Sequence, residues 1–461
     1  MRVTQARRIA FEILRRVEAQ GAYAADSLHT RLRGPVKPED AALATELTLG
    51  VLRWRRLLDF LLERHLAQPV EKLDLEVRVA LRLGLYQLRY LSRVPAQAAV
   101  KESVELVKWA RKSSAARLAN AVLRRAAEAA REPAEQFLPS TLPRAEHLGI
   151  LYSHPTWMVE RWLRYFGEAR TLALLEAHNR PRRVTCMVQD QRELAPVVEA
   201  LKKAGLRVQP GKLLRSALGV SGGDAAKTER FRRGQISFQS EASYLVALLV
   251  DVRSGSKVLD LCAAPGGKTA ILARAAGPSG VVIAADKHLH RLRAMGLEIT
   301  RVGATNVHLL ALDAARPLPF SKEFVRILVD APCSGTGTLA SNPEIRWRLR
   351  KEDLADFHAR QVEFLSHALE CLAPGGRLVY STCSLEPEEN EHVVAEVVRQ
   401  RRDIRFVSGA SALPGHLNED IRPEMLVGQD GFFRTFPPEQ ETDGFFAAVL
   451  ERTLNGSPDA C

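Results

Sequence analysis

Through the first 130 residues, apolar positions recur at spacings of three and four. Ile9, Ile13, Leu14 and Val17 form one stripe, Leu43, Leu47, Val51, Leu52 and Leu58 a second, and Val79, Leu83, Tyr86, Leu88 and Leu91 a third. This is the period of amphipathic helices. Gly21, residues 34–38, Gln68-Pro69 and Val94-Pro95 punctuate them, so the pattern predicts an all-α bundle. Pro133, Pro139 and Pro143 then mark a linker, and His154-Pro155-Thr156-Trp157 opens a short helix expected to end near Gly167. Residues 183–189 (RVTCMVQ) alternate as a strand, 193–204 read as a helix and 206–208 begin another strand. From Ser256 the rhythm becomes strand, glycine turn, helix, strand: KVLDLC, KTAILARAA, VVIAAD, NVHLLALDA, VRILVDAP, a helix from Phe357 to Leu372, and RLVYSTC. Such alternation predicts a parallel sheet with helices on both faces. The expected architecture is multidomain: a helical bundle over residues 1–140, a small α+β linker domain over 141–235 and an α/β domain over 236–453, with the tail frayed after Thr453.

Composition narrows the class. The 461 residues are 46% hydrophobic and 26% charged, which excludes a disordered chain or a coiled-coil rod. The longest apolar run, 242–250, stops at Asp251 and is too short for a membrane span. The N-terminus alternates charged and apolar residues at helical spacing, unlike a signal peptide, so a cytoplasmic protein with no membrane partner is expected. Six scattered cysteines without a CxxC pair predict neither a disulfide framework nor a metal site. The net charge of +12 is uneven, with +17 on residues 1–240 and −5 on 241–461. A basic first half suits a nucleic-acid phosphate backbone. Arg53, Arg55, Arg56, Arg78, Arg82, Arg89, Arg124 and Arg125 beside the apolar stripes suit RNA binding, and equally suit solvated helix faces.

The candidate chemistry lies in the second half. In DLCAAPGGKT, residues Cys262, Ala263, Ala264, Pro265, Gly266, Gly267 and Lys268 form a glycine-rich turn between a strand and a helix, where a ligand can approach the backbone. Asp286 ends the next strand, twenty residues after Gly266, placed to accept hydrogen bonds from ribose hydroxyls. Asp313 is expected to end the third strand and could recognise an adenine amino group. The turn is neither GxGxxG nor a P-loop, which weakens dinucleotide and nucleoside-triphosphate readings. VDAPCSG and YSTCS bring Asp330, Cys333 and Cys383 to the same sheet edge. A cysteine beside a methyl donor suggests addition of a thiolate to carbon 6 of a pyrimidine, which makes carbon 5 nucleophilic. Asp330, if protonated, could hydrogen-bond the base at N3, and the base must be unpaired or flipped. These residues alone leave open which cysteine attacks.

Four segments, DLCAAPGGKT, LVDAPCSGTG, NPEIRWRLR and YSTCSLEPEENE, resemble in order the motifs of the RNA cytosine carbon-5 methyltransferases of the NOL/NOP/Sun type, over residues 230–452. DAALATELTLGVLRW, LRLGLYQLRYL and ARLANAVLRR look like a NusB-type RNA-binding domain. The pairing is similar to bacterial enzymes acting on small-subunit ribosomal RNA. The resemblance implies a NusB-like helical domain, then a Rossmann-like class I methyltransferase domain, with S-adenosyl-L-methionine as cofactor and 16S ribosomal RNA as partner to a monomer. By motif, Cys383 is implied as the nucleophile and Cys333 as the residue assisting product release; Cys262 to Lys268, Asp286, Asp313 and Asp330 would contact the cofactor, with Arg291 a possible helper. Arg346 and Trp347, in the NPEIRW loop, are expected to touch RNA. Departures are Val325, where relatives commonly carry an acid, and Glu439 and Glu441, where they often carry basic residues; the latter two count against RNA contact there, while Phe445, Phe446 and Val449 still read as a buried strand. Alternatives are a transfer RNA cytosine methyltransferase, a noncatalytic RNA-binding factor, which would be expected to lack Cys383 or the GGK turn, and a nicotinamide-dependent dehydrogenase supported only by the glycine turn and Asp286.

Overall fold

A computed structural model of the chain describes residues 3–399 and 401–454, so the fraying expected after Thr453 lies, beyond Leu454, outside the described residues. The N-terminal stripes form α1 (Gln5–Gln20), α2 (Ala24–Leu32), α3 (Pro38–Glu63), α4 (Leu75–Tyr90), α5 (Ala96–Trp109) and α6 (Ala116–Glu128). Gly21 closes α1 in the left-handed conformation, φ +64°, with its N–H on the Arg16 carbonyl. Pro38 opens α3, where its missing N–H has no cost. Ile9, Ile13, Leu14, Leu47, Leu52, Leu58, Val79 and Leu83 share one core, with Leu43 and Leu91 at its margin. Close approach of α3 and α4 needs Gly50: a Cβ there would lie 2.1 Å from Tyr86 Cζ. After α7 (Arg144–Leu151), the helix opened by Thr156 breaks at Gly167, where its end was expected. Gly167, at φ +72° and ψ 173°, is non-helical and divides α8 (Thr156–Asn179) into two helical segments; Thr171, Leu174, Leu175 and His178 form the buried face of the second.

Two of the arginines expected on the bundle surface are interior. Arg53 is buried, and Arg82 is 1% exposed. Arg82 makes a two-pronged contact with Asp59, at 2.6 and 2.8 Å, and a further bond to Glu18 at 2.7 Å. These charges therefore hold α1, α3 and α4 together. Arg124 and Arg125 on α6 are exposed.

The chain divides into two compact units, one reaching to Pro181 and including Leu339–Lys351, the other comprising Arg182–Thr338 and the residues from Glu352 on. The second unit begins with a small antiparallel sheet in the order β2-β3-β1-β4, built from β1 (Val184–Val188), β2 (Arg207–Pro210), β3 (Ala217–Ser221) and β4 (Ile236–Phe238), with α9 (Leu194–Lys203) and α10 (Glu229–Arg232) between strands. Cys186, Val188, Val197, Leu201, Val220 and Ile236 form its core. The buried carboxylate of Glu241, at the start of α11 (Glu241–Leu249), accepts the N–H groups of Lys212, Leu213 and Leu214, which ties this sheet to the next layer.

The large sheet runs β10-β12-β9-β8-β5-β6-β7. Its parallel part is β5 (Lys257–Leu261), β6 (Val281–Asp286), β7 (Val307–Ala311), β8 (Phe324–Asp330) and β9 (Leu372–Thr382). Helix α12 (Gly267–Ala276) follows β5 and α13 (Leu289–Arg301) follows β6. Alternate residues of β5 and β8 enter two cores: Val258 and Leu328 join α11 and α12, while Leu259, Leu261, Ile327 and Val329 join the later helices α15 (Asp353–Glu370) and α16 (Glu391–Val398). The sheet is mixed, not purely parallel. The apolar strand β12 (Phe445–Arg452) returns antiparallel against β9, and carries β10 (Ile404–Val407) and β11 (Phe433–Thr435) beside it. Phe445, Phe446 and Val449 are buried in it. No helix among the described residues is long and apolar enough to cross a membrane.

Leu339–Lys351, in sequence an insertion between β8 and α15, belongs to the helical unit. Its short helix α14 (Ile345–Arg348) carries the two residues expected to reach RNA. Arg346 is fully buried, and its guanidinium donates to the Ser153 carbonyl at 2.9 Å, to Asn179 Oδ1 at 3.1 Å and to the Leu339 carbonyl at 3.3 Å. Trp347 Nε1 donates to the Leu52 carbonyl at 2.6 Å, and Arg55 covers its ring. The expectation of RNA contact is thus corrected for Arg346, which is buried among carbonyl and amide oxygens of the helical unit; Trp347 is half-buried, with its N–H already bonded. Arg53 returns a bond to the Ala340 carbonyl, and Glu344 accepts the N–H of Ala24.

The Arg82 network generates a stability prediction. Arg82→Met strands Asp59 and Glu18 in a low-dielectric site, a loss of about 3 kcal/mol. Urea unfolding followed by helical circular dichroism should register it; a change below about 0.5 kcal/mol, the range of a surface substitution, contradicts the buried network.

Candidate active site

Strand β5 has β6 on one side and β8 on the other, so the loops leaving these strands part at its C-terminal end, where open α/β sheets bind ligands. Cys262 leaves β5 at φ +60° and Gly266 follows at φ +104°. A Cβ on Gly266 would lie 2.8 Å from Met295 Cγ, so strain and space both require glycine there. Helix α12 starts at Gly267 without a side-chain cap, leaving its first N–H groups to an anion. Asp260, one residue before the end of β5, is 1% exposed; Oδ2 accepts the Thr269 hydroxyl at 2.5 Å, and Oδ1 has no partner. Burial pushes its pKa up to about 7. A buried acceptor left open beside an uncapped helix N-terminus fits a ligand that carries both an ammonium and a carboxylate.

The other acids lie on the same edge. Asp286 is buried at the end of β6, accepts the His288 N–H at 2.9 Å and pairs with Arg291 at 3.2 Å; Arg291 also donates to the Ala264 carbonyl, which ties two strand ends together. Asp313 does not end the third strand as expected but stands two residues beyond β7, paired with Lys287 at 2.9 Å, a hydrogen bond that holds its pKa below the usual carboxylate value. Asp330 ends β8, with Oδ2 2.7 Å from Lys268 Nζ and Oδ1 accepting the Ser381 hydroxyl at 2.9 Å. Both of its oxygens are acceptors in use. Lys268 reaches it across from the glycine turn.

Cys333 and Cys383 come together. Parallel pairing of β8 with β9 sets Asp330 opposite Ser381, and three and two residues later the thiols lie with Sγ–Sγ 3.3 Å. The hydrogen bond to Cys383 and burial hold the Cys333 pKa above that of a free thiol. Burial also pushes up Cys262, beneath the glycine turn, and raises Cys371 to about 11 and Cys186 to about 12. Cys186 and Cys371 are core residues, as read from sequence.

Asp260 heads the DLCAAPGGKT segment but was given no role from the sequence, although an acid inside the apolar run KVLDLC was the available signal. Its raised pKa makes a signed prediction. The protonated form suits the buried site, so its contribution to stability is complete below the ordinary carboxyl range near 4 and is lost as pH rises through about 7. In melts without ligand, Asp260→Asn should gain on the parent protein between pH 4 and 7, by on the order of a few kcal/mol; a gap independent of pH contradicts this.

The comparisons with known proteins agree along the whole chain. Residues 247–451 match the family 16S rRNA methyltransferase RsmB/F, residues 4–128 the NusB family, and residues 154–224 the Methyltr_RsmF/B-like, ferredoxin-like domain. The chain is 32% identical to the probable ribosomal RNA small subunit methyltransferase B of Bacillus subtilis, over 98% of this chain and 100% of that one. It is 31% identical to the ribosomal RNA small subunit methyltransferase B of Vibrio cholerae, over 90% of this chain and 91% of the other. The crystal structure of PH0851 shares the fold, with a TM-score of 0.81 and 24% identity over 97% of this chain and 98% of that one. With the glycine turn, the strand-end acids and the paired thiols on one sheet edge, and with full-length relatives of this kind, the chain belongs to the RsmB/F family of 16S rRNA methyltransferases.

Proposed function

We propose that the protein transfers a methyl group from S-adenosylmethionine to carbon 5 of a cytosine in 16S ribosomal RNA, through a transient bond between Cys383 and carbon 6. The observation that carries this reading is the pair of thiols 3.3 Å apart, on the same sheet edge as the glycine turn of β5. S-adenosylmethionine supplies an electrophilic methyl group when bound. Asp260 and the turn from Cys262 to Lys268 would hold its methionine end, Asp286 its ribose and Asp313 its adenine. Asp330 orients Lys268 between the turn and the thiols.

The chain's own contribution to the reaction is nucleophilic. The Cys383 thiolate adds to carbon 6, and the electron pair displaced to carbon 5 takes up the methyl group. Loss of the carbon 5 proton to a base then expels Cys383 as thiolate and restores the ring double bond. Cys333, whose surroundings favour its protonated form, can donate to the departing sulfur. Ribosomal RNA as substrate is supported by the names of the full-length relatives and by the NusB match over residues 4–128. The catalytic motifs alone would serve transfer RNA equally well.

The two thiols should fail differently. Cys383→Ala should abolish both methyl transfer and covalent attachment to RNA, whereas Cys333→Ala should accumulate a protein–RNA adduct that survives denaturing electrophoresis. Reversal of these phenotypes assigns the roles the other way round. For RNA binding, the exposed pair on α6 is the cleaner probe, because deleting the bundle would remove the Leu52 carbonyl that holds Trp347. Replacing Arg124 and Arg125 together by Ala should reduce the log–log salt slope of RNA binding by about 1 to 2; an unchanged slope places the phosphate contacts elsewhere.

A further inference from the structure

Beneath the two thiols lies a fully buried carboxylate to which the proposed reaction assigns no part. Glu389 is 0% exposed and follows β9 in the segment SLEPEENE. Its Oε1 accepts the Ser334 N–H at 2.8 Å and the Gln361 amide at 3.0 Å; its Oε2 accepts the hydroxyls of both Ser334 and Ser384. Ser334 is the residue after Cys333 and Ser384 the residue after Cys383. One side chain therefore grips both cysteine loops at equivalent positions. The two serine hydroxyls are also 3.0 Å from each other.

The surroundings make the grip stiff. Gln361 on α15 bonds both Glu389 and the Pro332 carbonyl, one residue before Cys333. The backbone carbonyl of Glu389 accepts the buried Tyr380 hydroxyl at 2.6 Å, which fixes it against β9. Gly337 N–H closes the loop after Cys333 onto the Cys383 carbonyl at 2.9 Å. Strand pairing alone ends at Asp330 and Ser381, so beyond it the thiol separation depends on these loop contacts.

We propose that Glu389 is a positioning residue: its carboxylate joins the loops after Cys333 and Cys383 and thereby sets the spacing of the two thiols. This rests on the two-thiol reading above for its catalytic meaning, but the spacing can be measured without RNA or methyl donor. In the purified full-length protein, diamide takes the two electrons and two protons released as the thiols join in a Cys333–Cys383 disulfide, itself becoming the hydrazine, and peptide mass spectrometry times the bond. Glu389→Ala should slow that bond at least tenfold. Glu389→Gln, which keeps the shape and can still bond both serines, should remain within about threefold of the parent. Should Glu389→Ala not fold, Ser384→Ala cuts the link from Cys383 alone and should slow the bond severalfold. Where both single variants fold, the effect of Ser384→Ala should vanish in the Glu389→Ala background.

In turnover, Glu389→Ala should lower kcat with KM for RNA little changed, and Glu389→Gln should recover most of it. Wild-type oxidation rates in folded Glu389→Ala or in Ser384→Ala overturn the proposal, as does failure of the parent protein to form the disulfide at all. A disulfide rate that depends on Glu389, in a protein that never attaches to RNA, upholds the positioning role and overturns the proposed chemistry instead.

Discussion

The parallel pairing of β8 with β9, with Asp330 opposite Ser381, is the constraint on which the site depends. Two cysteines fifty residues apart become neighbours because each leaves one of these strands within three residues of the last pair. The same register places Asp330 where Lys268 reaches it from the turn of β5, so one carboxylate connects the thiol edge with the glycine turn. The buried cores on both faces of the sheet hold this register, since a slip of one residue would exchange Leu328 with Ile327 or Val329 between opposite faces.

Charge has two uses in this chain. The excess on the first 240 residues suggests a nucleic-acid surface, and exposed residues such as Arg124 and Arg125 fit that use. Arg53, Arg82 and Arg346 do not, because they are buried and bonded to carboxylates or backbone carbonyls. Arg346 is notable for having carbonyl and amide oxygens as its partners, an arrangement that fixes Leu339–Lys351 within the helical unit by geometry more than by charge pairing. Burial lowers its pKa, a cost that its multiple hydrogen bonds offset.

What was legible in the sequence was local. The helix stripes, the strands from β5 to β9 and the three motif turns each carry their period or turn chemistry within a dozen residues, and the structure places them so. What was not legible depends on which side chains and strands meet in three dimensions. The return of β12 between β9 and β10, the capture of Arg346 by residues 153 and 179, and the joint hold of Glu389 on Ser334 and Ser384 join positions from five to nearly two hundred residues apart. Asp330 shows the same limit on a small scale: its motif was plain, but its partner Lys268 sits 62 residues away. At Gly167 the local signal held, since the helix breaks there; the second helical segment beyond it, with its buried face from Thr171 to His178, was not read from the sequence.

The central claim is the identity of the methylated atom. Purified protein, tritiated S-adenosylmethionine and unmodified small-subunit ribosomal RNA should yield label that, after digestion to nucleosides, co-elutes with 5-methylcytidine and is absent when Cys383 is replaced by Ala. Label recovered in any other nucleoside, or in 5-methylcytidine with Cys383→Ala protein, would contradict the account.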